Sequence, residues 1–218
     1  MKIVIFQMNK RQEKKMLASQ RNFQESGQLN DTKQIFVTRD KNLLSQYYNL
    51  RNDIFKNEKG LIKNSWLENE FDDGAAIVVA AINGRVVGGI RVMTSIGSKY
   101  LSREISGTEF TYRNLLRTIG LNSDLEYIET SCMVIAPEYR NRTILSEMMR
   151  VVIEYGKKLN GSYLIDITSL AFARNIRMIF RSLGYPVTIV ASFPWKELEM
   201  YNYSKDYPVV CLLNEKTE

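Results

Sequence analysis

The chain contains no histidine in its 218 residues. That absence excludes Ser-His-Asp and Cys-His nucleophile pairs and every His-ligated zinc or iron site. Proton transfer must fall to Glu, Asp, Tyr, Lys, Cys or water. Cysteine is also scarce. Cys132, on a predicted central strand, and Cys211, near the end, read as reduced, buried thiols rather than a disulfide framework. No apolar run approaches the ~20 residues needed to cross a bilayer, so no integral membrane segment is expected. Met1-Lys-Ile-Val-Ile-Phe is too short for the hydrophobic part of a secretory signal, and no small-residue cleavage site follows it. The expected location is cytoplasmic. A long basic tract is missing as well. The net charge of +6 is spread among acidic residues, apart from the mixed segment Lys10 to Arg21, which argues against nucleic acid as a partner.

The organisation is that of one well-buried core with an N-terminal extension. Residues 1–33 are rich in Gln, Asn, Lys and Ser and are expected to form a mobile arm or a lid, with a possible helix from Lys10 to Phe23; residues 34–218 form the main domain. Gln34 to Thr38 reads as a strand. Asp40 then caps a helix whose Leu43, Tyr47, Leu50 and Ile54 repeat at helical spacing. On pattern alone Arg51, beside that stripe, is a snorkelling surface residue. Ala76 to Ile82 and Arg85 to Met93 are β-rich runs joined by Asn83-Gly84, a two-residue hairpin signal because both positions need positive φ. Gly88 and Gly89 weaken the second run unless backbone or ligand approaches closely. A helix over Thr108 to Ile119, a strand from Tyr127 to Ile135 and a helix from Thr143 to Leu159 follow. After a strand at Tyr163 to Thr168, a helix from Ala171 to Leu183 ends at Gly184 in the αL cap position. Strands Pro186 to Ala191 and Tyr207 to Leu213 close the chain.

The richest segment is Tyr127-Ile-Glu-Thr-Ser-Cys-Met-Val-Ile-Ala-Pro-Glu-Tyr-Arg-Asn-Arg-Thr-Ile-Leu, a carboxylate-bearing strand that runs through a Pro turn into a basic helix start. Such an opening offers unpaired N–H groups to a pantetheine arm, from Met133 to Ile135, and donors to phosphate at Arg140 and Arg142. Glu129 is placed to take a proton from an attacking amine.

Here the chain resembles the GNAT superfamily of acyltransferases, and within it the acyl-homoserine-lactone (autoinducer) synthases and N-acyl amino acid synthases. The likeness rests on Arg51 with Phe55, on Glu70-Phe71-Asp72-Asp73, on Gly88-Gly89-Ile90-Arg91, and on Glu129-Thr130-Ser131-Cys132 in place of Glu-x-Ser-Arg. Order and approximate spacing agree from Gln34 to Tyr185. The resemblance implies a mixed, mostly antiparallel α/β sheet flanked by helices, the GNAT fold. It implies a catalytic Glu129, with Ser131, and an acceptor side made by Arg51, Phe55, Asp72 and Arg91. It also implies an acyl-ACP or acyl-CoA donor held by Met133, Val134, Ile135, Arg140 and Arg142, a small-molecule amine acceptor and no metal. An acidic acyl carrier protein would gain from a modest positive field.

Two readings of Glu129 stay open: general base, its pKa raised by desolvation, or an ion-pair partner of Arg91 across the sheet. Departures from the family pattern point away from acetyl-CoA enzymes. Arg140-Asn-Arg-Thr143-Ile-Leu145 lacks both glycines of the superfamily's phosphate loop. Phe180 stands where many acetyltransferases place a proton-donating Tyr. Cys132, in place of the Arg of Glu-x-Ser-Arg, removes a cation and argues instead against S-adenosylmethionine itself as the acceptor. The expected function is transfer of a fatty acyl group to the amine of an amino acid or related metabolite. An acetyltransferase and a non-catalytic binding protein of the same fold are the alternatives. A long chain would need an apolar tunnel under the helix Thr108 to Ile119, with Ile105, Phe110, Leu115, Met133, Ile135 and Met149 as candidate walls.

Overall fold

A computed structural model of the chain describes residues 32–58, 70–94, 112–140, 142–190 and 206–214. The expectations for residues 1–31 and for Ile105 and Phe110 lie outside the described residues. Strand β1 spans Lys33–Thr38 and helix α1 Lys41–Asn57. Strands β2 (Ala76–Ile82) and β3 (Arg85–Thr94) form the expected hairpin, with Asn83 at φ 51° and Gly84 at φ 77°. Helix α2 (Tyr112–Thr118), strand β4 (Tyr127–Ile135) and helix α3 (Arg142–Lys158) follow. Strand β5 (Tyr163–Ser169), helix α4 (Leu170–Ser182) and strands β6 (Val187–Ile189) and β7 (Asp206–Leu212) complete the order.

Local chemistry accounts for the helix ends. Asp40 accepts a hydrogen bond from the Leu43 N–H, and Ser169 accepts one from the Phe172 N–H, each satisfying a donor that the first helical turn leaves unpaired. Gly184 adopts φ 82° just beyond α4, as its position predicts.

The seven strands form one sheet in the order β1-β2-β3-β4-β5-β7-β6. Among the described residues only the β4–β5 pairing is parallel, and the other five are antiparallel. Because side chains alternate across a strand, the register divides the core in two. On one face Val78, Ile90, Val92, Ile128, Leu164 and Val209 pack with Met148, Met149, Val152, Ile176 and Phe180 of α3 and α4. On the other, Ile77 and Val79 meet Tyr47, Tyr48, Ile54 and Phe55 of α1, while Tyr127, Ile165 and Val210 meet Leu115 and Leu116 of α2. Leu115 and Met149 therefore lie on opposite faces of the sheet and cannot line one tunnel.

The buried face of α1 is rotated from the predicted stripe. Tyr47, Tyr48, Arg51, Ile54 and Phe55 are buried, whereas Leu43 and Leu50 are half-buried. Arg51 thus sits in the middle of the inward face, with no measurable exposure, and the snorkelling reading is corrected. The Tyr47 ring also explains Gly89. A Cβ there would overlap the Tyr47 ring, so the close approach that calls for a strand glycine comes from α1.

Candidate active site

Strands β4 and β5 pair from Tyr127/Tyr163 to Thr130/Asp166 and then part, β4 continuing to Ile135 while β5 continues against β7. At the parting β4 carries a β-bulge. Between the pairs Arg91/Ser131 and Gly89/Val134, Cys132 and Met133 of β4 face Ile90 of β3. Cys132 takes φ 51°, a conformation that costs a non-glycine residue on the order of 1–3 kcal/mol and persists where the surroundings enforce it. Tyr47 supplies part of that enforcement. Its hydroxyl donates to the Cys132 carbonyl at 2.9 Å, and burial raises its pKa far above the ordinary tyrosine value, which keeps it a donor.

Beyond the bulge, the N–H of Ala136 donates to Val87 O at 2.8 Å, toward β3. Strand alternation turns the N–H group of Ile135 the other way, to the side that β5 has vacated. The parting opens a cleft of about 630 Å³, within the range that holds small ligands. Met133, Val134 and Ile135 form its β4 wall, Leu145 and Ser146 of α3 and Phe172, Asn175, Met178, Ile179 and Ser182 of α4 the opposite walls, and Ile54, Glu58 and Arg140 the rest. Four of the five residues expected on the donor side meet in this cleft. For the fifth, Arg142, the structure describes the backbone alone, as the first residue of α3.

Arg140 is already engaged. Its Nε donates to Ile135 O at 2.9 Å, and its Nη2 donates to both carboxylate oxygens of Glu58, at 2.7 and 2.6 Å.

The residues expected on the acceptor side gather on the α1 face, next to the bulge. Arg51 clasps Asp72 with two hydrogen bonds, Nη1 to Oδ1 at 2.9 Å and Nη2 to Oδ2 at 2.8 Å. Arg91 reaches the same Oδ1 at 3.4 Å and donates from Nε to Ser131 Oγ at 3.0 Å. The Arg51 guanidinium lies over the rings of Tyr47 and Tyr48, at 5.3 and 4.9 Å, and that of Arg91 over Phe71 at 5.7 Å. Burial works against both charges. The hydrogen bonds to Asp72 more than offset this for Arg51; for Arg91 the neighbouring Cys132, Asp72 and Glu129 do so, and both pKa values end above the ordinary arginine value.

Glu129 lies opposite Met93, on the same face as Arg91 and Ser131, one residue before the last β4–β5 pair. It is buried, with 3% exposure. Its charge acts on Arg91. Phe55 is packed beside Ile54 in the apolar cluster under α1. Phe180 is fully buried in the α3–α4 core, and its ring has no proton to give a leaving thiolate. Cys132 is half-buried rather than buried, and Cys211 is buried, with its thiol pushed up to about 12 by desolvation; both are free.

Sequence reading did not single out Glu58 or the α4 wall. No local motif marks them, because the cleft is assembled from elements more than a hundred residues apart. The exception is compositional. Helix α4 carries Arg174, Arg177 and Arg181 and no acidic residue, and among the described residues none of the three makes an ion pair. Met178 lies between them, 48% exposed at the lip of the cleft.

Among the described residues, no group of three or more His, Cys, Asp or Glu side chains is placed to hold a metal ion, and no helix is long and apolar enough to cross a membrane.

A family model described as the acetyltransferase (GNAT) family matches residues 44–185, more than half of the chain. No curated protein sequence matches it. Among solved structures, the fold is similar to the AHL synthase LasI, with a TM-score of 0.59, 17% identity, and coverage of 86% of this chain and 93% of that one. It is similar to FeeM, an N-acyl amino acid synthase from uncultured soil microbes, with a TM-score of 0.58, 12% identity, and coverage of 84% and 91%. BjaI, a CoA-dependent acyl-homoserine lactone synthase solved with SAM and isopentyl-CoA, gives a TM-score of 0.56, 17% identity, and coverage of 84% and 85%. At these identities the likeness establishes the fold.

Proposed function

The chain belongs to the GNAT acetyltransferase family and is an acyltransferase, and from that premise we propose that it moves a fatty acyl group from a pantetheine thioester to the amine of an amino acid or a related metabolite. The observation that carries the reading is the parting of β4 from β5 at a strained bulge, with Glu129 and Ser131 on one side and an apolar cleft on the other.

In this reading the pantetheine arm lies along Met133 to Ile135. A main-chain N–H near Met133 or Val134 receives the oxygen of the thioester carbonyl as it becomes an oxyanion. An unprotonated amine enters from the side of Glu129, Ser131 and the Arg51–Asp72–Arg91 cluster, and its nitrogen bonds to the carbonyl carbon. Its proton passes to Glu129, directly or through a water. The carbon–sulfur bond then breaks, and the thiolate takes a proton from water, since Phe180 offers none. The donor's phosphate is assigned to Arg140 and the start of α3, whose first turn has no acidic residue.

An acidic carrier protein is the donor form that the α4 surface favours. Three arginines with no ion-pair partner among the described residues, around an exposed Met178 at the lip of the same cleft, suit an acidic partner that delivers its arm there.

Acyl length tests the proposal against simple acetyl transfer. Each methylene removed from water contributes ~0.8 kcal/mol, so octanoyl donors are expected to exceed butanoyl donors by roughly two orders of magnitude in kcat/KM. Both must be presented on the same carrier. A flat or falling profile from two to eight carbons would put acetyl transfer first.

A further inference from the structure

We infer that Glu58 is a specificity-determining residue, an internal carboxylate that occupies the donor's phosphate position on Arg140 and penalises polyanionic donors. The inference rests on the reading of the cleft as the donor site.

Two observations carry it. Glu58 and Arg140 both line the cleft, and Arg140 Nη2 gives both carboxylate oxygens of Glu58, at 2.7 and 2.6 Å, the charge-assisted donors it would otherwise offer a phosphate. Its Nε is fixed to the carbonyl of Ile135, so the guanidinium is anchored at the end of the β4 wall and turned to Glu58. The second observation is the position of the carboxylate. Glu58 is the C-cap of α1, at the negative end of the helix dipole, where an acidic side chain is unfavourable. Helix stability therefore does not explain a glutamate there, and Arg140 offsets its charge.

A donor that brings phosphate to Arg140 must displace Glu58, and the displaced carboxylate remains near the mouth. The repulsion grows with the number of phosphates. A coenzyme carrying several is penalised more than an arm with a single phosphodiester, and an uncharged pantetheine is not penalised. The pair is partly exposed, at 44% for the Arg140 side chain and 37% for Glu58, so the effect is modest and salt-sensitive.

The test is titration calorimetry of wild type and Glu58→Gln with CoA and with pantetheine, at low and high salt. Glu58→Gln is expected to bind CoA about fivefold more tightly at low salt, the scale of an exposed ion pair, with the gain shrinking at high salt and pantetheine binding unchanged. Equal or weaker CoA binding by the variant overturns the inference, as does an equal gain for pantetheine. If neither ligand binds wild type or variant, the reading of the cleft as the donor site fails, and the role of Glu58 fails with it.

Discussion

Glu129→Gln is expected to lower turnover by about 100-fold or more while donor binding stays nearly intact, the usual size of a general-base contribution. The substitution keeps the volume of the side chain and its place opposite Met93 but removes the proton acceptor. Glu129 is buried on the face that also carries Ser131 and Arg91, whereas the donor cleft is walled by the later residues of β4, so binding and proton transfer separate along one strand. Calorimetry with a non-reactive donor analogue, alongside steady-state kinetics, reads the two effects independently. Unchanged turnover would return Glu129 to a purely structural partnership with Arg91.

The second large effect is on stability. Asp72→Asn removes the anion shared by two cations that are 0% and 3% exposed, Arg51 and Arg91. Breaking a buried ion pair by neutralising one partner costs about 3–5 kcal/mol, because a charge stays buried without its counterpart. For a domain of this size that corresponds to a fall of roughly 10 °C in Tm. The expected result is a large loss measured by thermal unfolding in the absence of any substrate. If the variant melts like wild type and instead shows a raised KM for the amine, Asp72 is a substrate ligand first and a structural counter-ion second.

Much of the fold can be read from the sequence because its signals are local. Asn83-Gly84 requires positive φ, Asp40 offers a cap, Gly184 ends a helix, and β4 runs from Tyr127 to Ile135 as its composition predicts. The residues of the candidate site were singled out through family motifs, but their burial and pairing were not legible. A helical arginine beside an apolar stripe is ordinarily exposed, and only tertiary pairing with Asp72, twenty-one positions along the chain, explains a buried Arg51. The bulge at Cys132 has no signal of its own, since a cysteine at positive φ is held there by Tyr47 from another element. The Glu58–Arg140 contact joins residues eighty-two positions apart, and the side of the sheet on which the cleft opens depends on where β4 leaves β5. These are long-range facts, and short-range pattern does not contain them.

If this chain joins an acyl group to an amine at the β4–β5 opening with Glu129 as base, mass spectrometry of extracts from a bacterial host expressing the wild-type chain or Glu129→Gln at matched levels will read the product itself. The expected result is N-acyl amines with fatty chains in the wild-type extract and their near-complete loss with Glu129→Gln. The same acyl-amine profile from both chains, or none from the wild type, would refute that assignment.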